Sequence, residues 1–446
     1  MDFDTLRQRA EAFMQKLYRA LYQRHTGQLS DIPLRQVYDA PGIFTRDAIL
    51  ELQEMQTKAS GEERQRLTLV WAFLIEGYLR LNAADFDEEL AKHYDELTQS
   101  GAWARHDALN AYPAAIKPAS AEQSEQLLAL YQERWETIGA SLELVGLDLI
   151  SYLGMTSGSD PLQLCAQATD YLAATEAEYY ADFARYGGQP GSIQGRNDLE
   201  RLLAAPQFAS GFPEAEHVPT IEDTLYHLGI DVTRQPNLAL EINRSLHPGS
   251  AMAFPLRVPE EIYLVVSPAG GLNAYEQFLR VTGMIMPKLL LSPKHPWAER
   301  RLSYHSVAEA YGELFAGLLG NSTWLVDLLN LDEVVGDFVD FYRFRRLYHL
   351  RRAAARLIHL VNRARGQDDY AAIFENALGI CHSQDSLWLD MGWQRRALPT
   401  WQGLQQGLQL ESSLQSKYGP AWYRNQSATA RLRQLWASGE LDPTLS

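Results

Sequence analysis

Val258-Pro259-Glu260-Glu261-Ile262-Tyr263-Leu264-Val265-Val266, followed by Gly270-Gly271 and by a segment ending in Arg280-Val281-Thr282-Gly283-Met284, is the stretch from which the rest of the chain can be read. Ile262 to Val266 is a β-branched and aromatic run, which predicts a short strand. Ala253 to Arg257 precedes it, and Val258-Pro259-Glu260 between them reads as a turn, so one hairpin of a small antiparallel sheet is expected at about 251–267. Gly270-Gly271 is a turn. Beyond it the pattern is helical to the C-terminus, with helices expected at about 273–286 and 303–319. Pro287 removes a helix hydrogen bond and clashes with the preceding turn, so the first of these should kink or stop there.

Outside this stretch the chain reads as helix. From Gln126, the apolar positions Leu127, Leu130, Tyr131, Trp135, Ile138, Leu142 and Val145 follow a three-four rhythm, one face of a long amphipathic helix. Arg64 to Leu81 is apolar around much of its circumference and should be buried. Asp160-Pro161 is an N-cap followed by proline in the first turn. Gly187-Gly188-Gln189-Pro190-Gly191 is the strongest break, and a loop-rich stretch follows from Pro206 to Pro219. We therefore expect an N-terminal helical half over 1–186 and a C-terminal half over 197–446.

At 446 residues the chain can bury a large core, and its 46% hydrophobic and 22% charged residues are ordinary for a soluble protein. The formal net charge of −16 argues against nucleic acid and anionic membrane as partners, since both reward positive charge. One basic cluster, Arg343, Arg345, Arg346, Arg351, Arg352 and Arg356, lies on a helical pattern with Leu347, Leu350, Leu357 and Leu360; we read it as arginines that pair with acids elsewhere in the fold. Two distant cysteines, Cys165 and Cys381, form no disulfide framework or zinc knuckle. The longest apolar run, Leu67 to Ile75, is too short to span a bilayer, and Met1-Asp2-Phe3-Asp4 does not read as a signal peptide. A cytoplasmic location is the expectation.

A zinc peptidase places two histidines one helical turn apart with a carboxylate between them as H-E-x-x-H, and takes a further ligand, often Glu, from a later helix. The carboxylate accepts a proton from metal-bound water. The stretch from Ala253 to Gly317, through the strand, Gly270-Gly271 and Tyr275, resembles the catalytic segment of the thimet oligopeptidase and oligoendopeptidase family of zinc peptidases. The resemblance implies a gluzincin-like, mainly helical architecture, with a small antiparallel sheet beside the active-site helix and a central cleft between two helical halves. In that family the third ligand, a Glu, follows the second His by about 25 residues, and here Glu309 lies 25 residues after Met284. Leu17-Tyr18 through Gly27, Val37-Tyr38, Arg351 to Arg356 and Lys417 to Tyr423 resemble other parts of bacterial members more loosely.

The departures concern the chemistry. Arg280 stands where the resemblance places the first His, and a guanidinium does not deprotonate to bind metal. Val281 replaces the general base, and Met284 replaces the second His with a thioether, a poor zinc ligand. The family's C-terminal tyrosine and histidine have no clear counterpart in Gln394 to Gln409. A replacement metal site could draw on His305, Glu309 and Glu313, which share one helical face, or on His349 and His382, but the simpler reading is a polar stripe with incidental histidines. There is no G-x-S-x-G nucleophile elbow and no phosphate-binding G-x-x-x-x-G-K-[ST].

These observations favour a catalytically inactive peptidase-like protein with no metal or cofactor. It would bind a peptide or protein partner in or near the former cleft, with a catalytically competent relative as one candidate partner. The strand carrying Ile262, Leu264 and Val266 is a candidate surface for peptide strand addition. The alternatives are a hydrolase with a relocated site and a structural subunit of a larger assembly. An ion pair between Arg280 and Glu309 is expected to fill the position a metal would occupy.

Overall fold

The computed structural model describes residues 3–29, 34–40, 42–99, 103–104, 114–115, 121–188, 193, 195–382, 387, 396–439 and 441. Gln189, Pro190, Gly191 and Gln394 lie outside them, as do Met1 and Asp2.

Helices dominate. Six of them position the cleft: α1 (Phe3–His25), α2 (Gly61–Asn82), α3 (Leu272–Leu289), α4 (His305–Ala316), α5 (Val335–Ala364) and α6 (Ala397–Tyr418). The segment from Ala121 to Glu143 is the expected long helix, and Asp160 caps the helix Pro161–Ala174 by accepting from the Leu162 amide. α2 buries Leu67, Val70, Trp71, Leu74, Ile75 and Leu79, as its apolar circumference predicts. Pro287 sits in the last turn of α3, which ends two residues later, so the proline marks the stop. Among the described residues no helix is long and apolar enough to cross a membrane.

The small sheet has three strands, β1 (Leu238–Ile242), β2 (Ala251–Arg257) and β3 (Glu261–Val266), in the spatial order β1-β3-β2. β2 and β3 form the expected antiparallel hairpin, with Ala253 opposite Leu264. β1 pairs parallel with β3, so the sheet is mixed rather than purely antiparallel. β1 was not anticipated: Leu238-Ala239-Leu240-Glu241-Ile242 has neither a β-branched run nor a clean alternation, and pairing with a neighbouring strand decides its state. A separate two-residue ladder joins Trp103–Ala104 to Ala114–Ala115.

This topology corrects the proposed peptide-binding strand. β3 is central: the Ile262 amide donates to the Asn237 carbonyl, and the Asn243 amide donates to the Val266 carbonyl. The backbone groups of Ile262, Leu264 and Val266 therefore face β1, and their side chains are buried. An incoming strand finds no open edge there. The open edge next to the cleft belongs to β2, where the Ala251 carbonyl accepts from Gln277 Nε2 at 3.3 Å and the Pro255 carbonyl accepts from Arg301 Nη1 at 2.9 Å. By strand parity, the amide and carbonyl of Ala253 point the same way.

Two large hydrophobic clusters fill the interior. One runs from Leu90 to Trp436 and includes Phe278, Leu279, Tyr311, Leu314 and Phe341; the other runs from Leu6 to Leu404 and includes Ile49, Leu74, Trp297 and Leu398. Each draws residues from both sides of position 186. α4 is clamped between α3 and α6, its closest partners, and the approach depends on glycine. A Cβ on Gly283 of α3 would overlap the Tyr311 carbonyl of α4, and one on Gly403 of α6 would sit 2.6 Å from the Ser306 carbonyl. Because the obstacle at Gly283 is backbone, it cannot rotate away. Gly283→Ala is expected to destabilise the chain by about 3 kcal/mol, read as a lower urea midpoint at unchanged slope.

Candidate functional site

α3 and α4 bring Arg280, Glu309 and Glu313 to one point on the cleft wall. Arg280 and Met284 are one turn apart on α3, and Glu309 and Glu313 are one turn apart on α4; residues four apart share a helix face, so the two pairs meet where the helices cross. Arg280 Nη2 donates to Glu313 Oε2 at 2.7 Å, while its Nη1 lies 3.9 Å from Glu309 Oε2. The expected Arg280–Glu309 pair therefore exists as the longer of two contacts, and Glu313 is the principal partner. Glu309 is claimed first by its own helix: His305 Nε2 is 2.8 Å from Glu309 Oε1. Val281 is buried against the core and does not join the cluster.

The charges continue inward as a chain. Glu313, 2% exposed, also accepts from Arg346 Nε of α5 at 2.6 Å, and Arg346 Nη2 reaches Glu411 Oε2 of α6 at 2.6 Å. Five side chains from four helices thus alternate in sign: Glu309, Arg280, Glu313, Arg346 and Glu411. Burial alone would lower the affinity of both guanidiniums for their protons, but the surrounding carboxylates more than compensate and hold Arg280 and Arg346 firmly charged. Burial likewise raises the Glu309 carboxyl, and His305 and Arg280 outweigh it, leaving it below its usual value.

A second ionic centre lies one turn earlier on α3. Arg345 of α5 binds Glu276 and the Leu203 carbonyl, and the Tyr342 hydroxyl donates to Glu276 Oε1 at 3.1 Å. Burial pushes the Glu276 carboxyl up, but Arg345, His349 and Arg280 together bring it down to about 2. His349, buried and beside Arg345, is pushed down to about 3, so it is neutral at physiological pH. A carboxyl near 2 when folded and near about 4.3 when unfolded contributes stability that is complete above the unfolded value and lost as pH falls towards the folded one. Glu276→Gln is therefore expected to be less stable than wild type at neutral pH. The gap should close as denaturation is followed from about pH 4.3 down to pH 2.

The other arginines of the α5 cluster meet the expected pairing with acids only in part. Arg343 lies 3.7 Å from Glu178 and Arg352 lies 4.0 Å from Glu200, while Arg351 donates to the Ala377 and Leu172 carbonyls, each at 2.7 Å. Of the other histidines considered, His382 is buried beside Phe374 and Tyr370 and bonds the Ile380 carbonyl, away from the cleft. The stripe His305–Glu309–Glu313 shares a face, but its carboxylates are engaged by Arg280 and Arg346. Among the described residues no three His, Cys, Asp or Glu side chains converge as a metal would require.

The cleft opens as two chambers. The first, of about 410 Å³, is lined by Glu276, Arg280, Glu309, His349 and Arg352 together with Ser250 at the start of β2. The second, of about 430 Å³, lies between α1, α2 and the outer face of β2. Gln277 and Arg396 line both. Glu276, Gln277, Glu411 and Arg396 escaped sequence reasoning. Glu276 and Arg280 are four apart on one helix, a local signal that was available; Glu411 and Arg396 join the site only through tertiary packing.

No family model matches the chain, and no curated protein matches it. Similar solved structures are carboxypeptidases. A Pyrococcus furiosus carboxypeptidase, described as apo-Mg, superposes with a TM-score of 0.57 at 12% identity, over 100% of this chain and 95% of that one. The M32 carboxypeptidase of Deinococcus radiodurans R1 gives 0.56 at 12% identity, over 99% and 94%. Trypanosoma cruzi metallocarboxypeptidase 1 gives 0.53 at 12% identity, over 99% and 97%. At such identity the likeness establishes fold alone. A metal of the kind implied by those names does not fit the donor set here, because a guanidinium sits between the two carboxylates that would have to bind it. The mainly helical fold with a small sheet is thus shared with M32 carboxypeptidases, whereas the oligopeptidase family suggested by the sequence is not shown by these matches.

Proposed function

We propose that this chain is a peptidase-like scaffold that binds a peptide or protein segment in its cleft and does not hydrolyse it. The observation that carries this reading is Arg280, held between Glu313 and Glu309 at the crossing of α3 and α4, where the resemblance to zinc peptidases places a metal ligand. With Val281 and Met284 alongside, the altered segment supplies neither the general base nor the metal ligands through which a zinc peptidase attacks an amide. The cleft itself stays open, with two chambers of about 410 and 430 Å³ meeting at Gln277 and Arg396.

The edge of β2 supports peptide as the ligand class. Ala253 is half-buried and offers both backbone groups towards the cleft, between two carbonyls already satisfied by Gln277 and Arg301. A peptide laid antiparallel there would exchange two hydrogen bonds with Ala253 without any metal. A cytoplasmic setting, and a competent relative as the source of the bound segment, go with this reading.

The direct test of the site is its metal content. Protein purified without chelator and dialysed against zinc is expected to retain well under one zinc per chain, since a stable site wants about three protein ligands. Near-stoichiometric zinc that is lost in Glu309→Ala would overturn the reading.

A further inference from the structure

The second chamber combines two features rarely found together in so acidic a chain. Its wall is apolar and aromatic: Phe13, Met14, Tyr38, Phe73 and Tyr152 line it from α1, α2 and their neighbours. Phe13 stands 5.3 Å from Tyr38 and 6.1 Å from Phe73, ring centre to ring centre, in tilted pairs. Its charged lining is Arg80, Lys288, Arg301 and Arg396 against the single carboxylate Glu76, in a protein of net charge −16.

Lys288 and Tyr18 stand apart from the other polar groups of this lining. Arg80 pairs with Glu76 at 3.2 Å, and Arg301 is bound to the Pro255 carbonyl and lies 3.5 Å from Glu11. Lys288, half-buried in the last turn of α3, makes no hydrogen bond or ion pair to the described residues, and neither does the Tyr18 hydroxyl. The Lys288 ammonium, with Arg301 and Arg396 behind it, pulls the Tyr18 phenol below its ordinary value even though burial opposes the shift. A cation and a hydroxyl, neither of them hydrogen-bonded to the described residues and both lining a largely apolar cavity of small-molecule size, are arranged to receive an anionic headgroup with an apolar body.

We propose that the second chamber binds a small aromatic carboxylic acid, its carboxylate held by Lys288 and the Tyr18 hydroxyl and its ring packed against Phe13, Tyr38, Phe73 and Tyr152. The ring is favoured over an alkyl chain because four aromatic side chains, Phe13, Tyr38, Phe73 and Tyr152, stand among the aliphatic ones of the wall. This ligand is distinct from a peptide paired to β2, and its binding does not depend on that reading.

Calorimetric titration of the full chain with 3-phenylpropanoate, 3-phenylpropanamide and decanoate tests the assignment. The aromatic acid should bind, and its amide should bind at least about tenfold more weakly, the order expected for losing a charge-assisted contact. Lys288→Met should weaken the acid by about tenfold and leave the amide unchanged, while Tyr18→Phe should weaken it about threefold. Unchanged thermal midpoints in both variants would show that the chamber is intact. Equal binding of acid and amide, no binding of the acid at about 5 mM (a weaker affinity than a formed site should give), or an unaffected Lys288→Met variant would overturn the proposal. A preference for decanoate would overturn its aromatic part.

Discussion

Glu313→Gln is expected to lower the stability of the chain by about 3–5 kcal/mol, the largest effect of any single change in the cleft. Glu313 accepts from Arg280 at 2.7 Å and from Arg346 at 2.6 Å, and it is almost fully buried. Making it neutral leaves two buried guanidiniums short of countercharge, Arg280 with the 3.9 Å contact to Glu309 and the charge of Glu276, and Arg346 with Glu411. Arg280→Met should cost less, because Glu313 keeps Arg346 and Glu309 keeps His305. Combining the two changes should recover part of the loss, with a coupling of at least about 1 kcal/mol, because the double variant no longer strands the Arg280 charge. Urea denaturation of the four proteins measures this cycle. Additive effects, or a loss below about 1 kcal/mol for Glu313→Gln, would mean that the charges are solvated rather than paired.

Peptide-bond cleavage is the second large effect, and the expectation is that there is none. Enzymes accelerate their reactions by about a million-fold or more, and a zinc peptidase draws that acceleration from a metal-bound water and its base. Arg280, Val281 and Met284 supply neither. Quenched-fluorescent peptides incubated with the protein and added zinc should hydrolyse at the rate of the buffer control. Turnover that survives Glu309→Ala would point to a hydrolytic site elsewhere in the molecule.

The hairpin and the two helices of the cleft were legible because each rests on a short-range signal. Ile262–Val266 is β-branched, Gly270-Gly271 ends the strand segment, and Pro287 ends α3 within one turn. The convergence of Arg280 on Glu309 was legible only through the resemblance to zinc peptidases, which implies that both stand at metal-ligand positions. What failed was anything decided by neighbours far away in sequence. β1 has no strand pattern of its own and forms because β3 has a free edge. Its arrival makes β3 central and moves the open edge to β2, which is why Ile262, Leu264 and Val266 could not be the peptide-binding strand. Glu313 rather than Glu309 takes the shorter contact with Arg280 because His305 occupies Glu309. That choice depends on three side-chain geometries at once. The second chamber was invisible for the same reason, since Tyr18 and Lys288 line one cavity only because α1 and α3 both pack on β2.

Retention of peptide without cleavage is the property that defines the cleft proposed here. Passing a defined mixture of free peptides of about 5–15 residues, a length suited to a cleft of this kind, over the immobilised full chain, eluting with acid and weighing the eluate by mass spectrometry measures both halves together. A subset is expected to be retained and to return at its original masses, and Ala253→Pro, which removes one edge donor, is expected to reduce the retention. Peptides returned shortened would contradict the claim of inactivity, and a mixture that passes through without enrichment would contradict the claim of binding.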